Sequence, residues 1–121
     1  MRNELTSEWD ARKVKEGREY ALLTDEISKA WSGMTTRQYK TFKGLKKENL
    51  RDMTLLELTL NQLAEVTTTA ISKEQKPQTF EENKRVAREG GEVAGIARRE
   101  AEKRTGKPTI TPKKRLILRV F

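Results

Sequence analysis

Between Arg37 and Arg51 the sequence reads RQYKTFKGLKKENLR, which sets Arg37, Lys40, Lys43, Lys46, Lys47 and Arg51 against Glu48 alone. Long basic side chains at this density supply sequence-independent attraction to a polyanion. The interleaved Tyr39 and Phe42 can stack on exposed bases or anchor the segment to a core. The same composition also describes a solvated helix face. What the residues exclude is sharper. With no His and no Cys, the chain cannot build a histidine-based triad, a cysteine nucleophile or a zinc site of nitrogen and sulfur ligands. Carboxylate-only metal sites are the remaining chemistry. Yet Asp25 with Glu26 and Glu81 with Glu82 are adjacent and point to different helix faces, while Glu57 and Glu65 sit among apolar residues without a carboxylate three or four positions on. No catalytic residue, metal ligand or cofactor is expected, and the chain reads as non-enzymatic.

The rest of the charge follows the same direction. Lys and Arg number 26 against 18 Asp and Glu, a formal net charge of +8, which favours anionic partners. From Lys107 to Phe121 stand Lys107, Lys113, Lys114, Arg115 and Arg119 with no acid, whereas the first 26 residues are close to neutral. At 121 residues there is room for one domain, and with 34% apolar and 36% charged residues its core must be thin. No apolar run approaches the roughly 20 residues that cross a bilayer, and MRNELTSEWD lacks a secretion-signal stretch, so a cytoplasmic protein with no membrane contact is expected. The missing cysteines agree with a reducing compartment.

The elements that must position these charges are helical. Prolines occur only at Pro77, Pro108 and Pro112. Thr35 with Gln38, Thr54 with Glu57 and Thr79 with Glu82 form capping boxes that mark helix starts, and Gly17, Gly33, Gly44 and Gly106 mark stops. The spacing predicts helices over 5–15, 24–32, 35–43, 54–74 and 79–104: an all-α fold, a small bundle of about five helices with two long C-terminal ones. One helical domain over 1–106 would be followed by a basic tail over 107–121, either unfolded or an edge strand. In the fourth helix Leu56, Leu60, Leu63, Thr67 and Ile71 predict the buried stripe, widened by Leu55, Leu58 and Val66. The fifth helix and Leu22, Leu23, Ile27, Trp31, Tyr39 and Phe42 would cover it.

The fifth helix buries small residues, Ala87, Ala94, Ala97 and Ala101, and contains Gly90, Gly91 and Gly95, which together cost about 3 kcal/mol relative to alanines in a helix. Either the helix breaks near Gly90, or these glycines admit the close approach of a helix or a phosphate backbone. Around them Lys84, Arg85, Arg88, Arg98, Arg99, Lys103 and Arg104 form a second basic strip. The short helices at 24–32 and 35–43 also carry a weak helix-turn-helix signal, with Ala30 three positions before Gly33 instead of four.

From about Leu5 to Pro108 the chain resembles the C-terminal region of Bro-type prophage antirepressors and the related DNA damage-inducible protein D family. The most specific pieces are KGLKKENLRD at Lys43 to Asp52 and GG-x-VAG-x-AR from Gly90 to Arg98. In that family the Bro domain credited with DNA binding normally precedes this region, and it does not lie within these residues. Two departures stand out. Asp52 joins Met53 directly where the family pattern has an intervening polar residue, and the ending KKRLILRVF is unlike the family's polar tail. That ending reads as an edge strand, a contact with another chain, or the product of an altered reading frame.

The resemblance implies an accessory domain of a prophage or DNA damage-response regulator. The expected partner is DNA or nucleoprotein, held through Arg37, Lys40, Lys43, Lys46, Lys47, Arg51, Arg98 and Arg99, with a regulatory protein partner and homo-oligomer formation left open. The alternative is a protein interaction or oligomerisation module with no nucleic-acid affinity of its own.

Overall fold

A threonine whose hydroxyl accepts from the backbone three residues on, while a Glu or Gln reaches back to the threonine's own N–H, satisfies two donors that a helix start leaves open. All three capping boxes form: Thr35 with Gln38 at 2.9 and 3.2 Å, Thr54 with Glu57 at 2.8 and 3.1 Å, and Thr79 with Glu82 at 3.2 and 3.1 Å. In a computed structural model describing residues 2–43 and 54–110, they open α3 (Thr36–Lys43), α4 (Leu55–Gln75) and α5 (Phe80–Thr105), which follow α1 (Arg2–Ala11) and α2 (Arg18–Ser32). The described residues are all-α, with no strand. The basic tail beyond residue 110, Gly44, and the 44–53 part of the basic run lie outside them.

Two boundaries differ from expectation. The sequence makes Gly17 a helix stop, whereas in the structure Gly17, at φ 80, stands immediately before α2, which begins six residues earlier than expected. The first helix ends at Ala11, and the chain turns at Lys13, whose φ is 65. Gly33 and Gly106 close α2 and α5 in the left-handed conformation, as glycine allows. Helix α5 runs unbroken through Gly90 and Gly91.

The four-residue connection 76–79 folds α4 and α5 into an antiparallel hairpin. Helices α1 and α2 cover one side of it, α1 against α4 and α2 against α5, and α3 closes one end. The core is Leu5, Trp9, Val14, Leu23, Ile27, Trp31, Tyr39, Leu60, Ala64, Ala87, Ala94 and Ile110. Leu22 and Phe42, expected in it, are exposed. The buried face of α4 is also not the expected leucine stripe. It consists of Glu57, Leu60, Ala64, Glu65, Thr68, Thr69 and Ser72, while Leu55, Leu56, Leu63 and Val66 are exposed.

Candidate interaction surfaces

On α3 the inward positions are Tyr39 and Lys43, one turn apart. Tyr39 packs on Trp31 with ring centroids 6.0 Å apart. Its hydroxyl donates to Glu57 Oε2, Lys43 Nζ donates to Glu57 Oε1 at 2.9 Å, and Thr54 N donates to the same oxygen at 2.8 Å. Lys43 and Glu57 both have fully buried side chains. Lys43 is therefore corrected from a phosphate contact to a structural cation, because removing it would leave the Glu57 carboxylate buried without its charge partner. Burial, reinforced by the hydrogen bond to Glu57 and its negative charge, holds the Tyr39 hydroxyl far above the usual phenol range. Of the expected α3 contacts, Arg37 is exposed and Lys40 half-buried. Lys46, Lys47 and Arg51 lie outside the described residues.

The second basic strip is largely engaged within the fold. Arg98 Nε donates to the Trp31 carbonyl at 2.6 Å, covering an acceptor left open at the end of α2, and its Nη1 donates to both Glu102 oxygens at 3.0 and 2.9 Å. Glu102 in turn accepts from Thr109 N at 2.9 Å. Arg98 thus ties α5, α2 and the segment after α5 together, a correction to its expected role on nucleic acid. Arg88 faces Glu26 at 3.5 Å and Arg104 faces Glu100 at 3.1 Å. Arg99 is exposed.

The glycines serve packing between helices of this chain. A Cβ on Gly90 would meet Thr68 Oγ1 and lie 2.7 Å from Thr68 Cα and N; one on Gly91 would lie 2.6 Å from Ala30 Cβ and 2.7 Å from the Ile27 carbonyl oxygen; one on Gly95 would lie 2.6 Å from the Ala30 carbonyl oxygen. Backbone meets backbone at each point, so α5 is wedged between α2 and α4 with no room for a methyl group.

Two electrostatic facts follow. The described residues hold nineteen Lys and Arg against sixteen Asp and Glu, so most of the positive excess belongs to residues outside them. From Leu55 to Ser72 the only ionisable residues of α4 are Glu57 and Glu65, and both are buried. The outer face of α4 is consequently free of charge for about five turns while exposing Leu55, Leu56, Leu63 and Val66. Sequence reasoning named these residues but placed them inside. Among the described residues no acidic cluster could hold a metal ion, and no helix is long and apolar enough to cross a membrane. Compared with protein-family models, curated proteins and solved structures, the chain matches none.

Proposed function

We propose that this chain is a non-enzymatic helical module that binds a protein partner through the outer face of α4. The observation that carries this reading is the charge-free apolar surface on a chain in which 36% of residues are charged. An exposed apolar face rimmed by polar residues marks a protein contact, whereas a surface for phosphate needs cations. The resemblance to the C-terminal region of Bro-type antirepressors agrees with an accessory role beside a separate DNA-binding domain. The test is a photo-crosslinking residue at position 63 in living cells, with position 81 on α5 as the exposed control. Protein adducts from 63 and none from 81 are expected. Nucleic-acid adducts from 63, or no adduct at all, would overturn the reading.

A second reading, contact with nucleoprotein, is favoured by one observation: exposed Arg37 and half-exposed Lys40 lie on α3 immediately before Lys46, Lys47 and Arg51 in the chain. Titration of a labelled duplex at two salt concentrations tests it. Each phosphate neutralised steepens the log-log salt slope by about 0.9. A slope that does not change on Arg37→Ala and Lys40→Ala would remove both residues from any such contact.

A further inference from the structure

We propose that α3 is a strap, hinged at the turn after α2 and latched by Glu57, which opens and recloses while the α4–α5 hairpin stays folded. The device is independent of what the outer face of α4 binds.

By itself α3 is a weak element. A helix of eight residues does not hold its shape in water without packing, and what it packs is small. Tyr39 is its one buried apolar side chain and Phe42 is exposed, whereas α1 buries Leu5 and Trp9 and α2 buries Leu23, Ile27 and Trp31. Elements with few buried apolar contacts are the ones that open without global unfolding.

The two ends of α3 are held differently. At the near end the Met34 carbonyl accepts from the Ser28 hydroxyl at 2.7 Å and the Ser32 hydroxyl at 3.1 Å, and Thr36 N donates to Asp25 Oδ1 at 3.1 Å. These bonds fix the turn to α2 and define the hinge. Beyond them both inward side chains end on one carboxylate, Tyr39 on Glu57 Oε2 and Lys43 on Glu57 Oε1. An ion pair with fully buried side chains is favourable while its charges stay together, and once water is admitted each charge is hydrated separately. Partial separation, with the charges still dry, is the costly state. The latch is therefore either closed or open.

The closed state also carries a penalty. Trp31, whose ring packs on Tyr39, has its indole N–H buried with no hydrogen-bond partner among the described residues. A buried donor without an acceptor is unfavourable, and water admitted as Tyr39 leaves would supply one. The latch thus holds α3 down against a cost that opening relieves.

Hydrogen exchange followed by NMR on the full chain tests the proposal. The amides of Tyr39 to Lys43 should exchange at one common rate, shared by the Trp31 indole N–H and at least about tenfold faster than the amides of Ala64 to Thr68 and Ala87 to Ala94. Glu57→Gln keeps an acceptor for the capping box and removes the charge that Lys43 faces. It should speed that set at least about tenfold more and leave the α5 amides unchanged. Should Glu57→Gln unfold the chain, Tyr39→Phe decides, since it removes one hydrogen bond and no charge; the same set should then gain about tenfold. Rates graded from Lys43 back to Tyr39 would mean fraying of a helix end, and a set as slow as the hairpin would mean that α3 never opens alone. Equal acceleration of α3 and α5 in the Tyr39→Phe protein would mean that the contact holds the whole fold. Each of these results would overturn the strap.

Discussion

Replacing Gly90 by alanine tests how tightly α4 and α5 are held. Two effects oppose each other. Alanine is favoured over glycine in a helix interior by up to about 1 kcal/mol, part of which is the lower entropy of the unfolded chain. Against this, the new methyl carbon would lie 2.7 Å from Thr68 Cα and N and closer still to Thr68 Oγ1. Ordinary carbon contacts are at about 3.5 to 4.0 Å, so the helices would have to part by about 1 Å. Rotating a side chain does not relieve the clash, because two of the atoms struck are backbone, and the Thr68 hydroxyl is itself bound to the Ala64 carbonyl at 2.8 Å. Overpacking typically costs 1 to 3 kcal/mol and occasionally more. A backbone clash at the centre of the longest helix pair belongs at the upper end, leaving a net loss of about 2 kcal/mol.

For a domain of this size 1 kcal/mol moves the melting temperature by roughly 4 to 8 °C, so a thermal melt followed by circular dichroism should show Gly90→Ala falling by about 10 °C. Thr68→Ala in the same background should recover part of the loss, since it removes Oγ1 but not the backbone atoms. A Gly90→Ala protein that melts at or above the wild type would refute the reasoning, because the helix propensity term would then be acting without a steric opponent.

The remaining predictions concern α4 and its buried ion pair. Leu60 is 4% exposed and Leu63 36%, so in denaturant titrations Leu60→Ala should cost about 2 to 5 kcal/mol and Leu63→Ala markedly less; equal costs would return Leu63 to the core. Lys43→Met should cost about 3 to 5 kcal/mol by leaving the buried Glu57 carboxylate without its cation, whereas a change near zero in the same titration would make Lys43 a surface residue after all. For Tyr39 the folded pKa lies above the unfolded one, so the folded state keeps a proton that the unfolded state releases above its ordinary value of about 10. Its stabilising contribution is complete below that pH and declines above it. Stability measured across that range should fall less steeply in Tyr39→Phe than in the wild type; the residual slope belongs to groups such as Tyr20, whose pKa is also raised, first by burial and then by Asp10 and Glu16.

The helix starts were legible because a capping box is local: hydroxyl, carboxylate or amide and the two backbone donors lie within four residues, whatever the rest of the chain does. The face of α4 was not. Counting large apolar residues at helical spacing assumes that the largest side chains are the buried ones. In this hairpin Gly90 brings the α5 backbone onto Thr68, and only small or short residues such as Ala64, Thr68 and Ser72 fit where backbones meet. The glycines carry the close-approach signal, and that approach sets which positions of α4 can be buried. Lys43 was hidden for a similar reason. A basic run suggests a solvent-facing strip, yet Tyr39 and Lys43 are one turn apart and share the inward face of α3. The signal that could have found the pair was Glu57, a lone acid in the apolar run LLELTL that needs a buried cation.

The glycine seam and the exposed leucines have one cause. Close approach of α5 to α4 excludes leucine from the seam, so Leu56 and Leu63 are displaced to the side of the hairpin that α1 and α2 leave uncovered. Four exposed apolar side chains on one uncharged helix face are a liability for an isolated monomer, since such patches associate without specificity. Selection against aggregation would replace them with lysine or glutamate, residues abundant on every other described helix. Leu55, Leu56, Leu63 and Val66 share their face with no charged side chain, and such a face is what the proposed protein contact on α4 would cover.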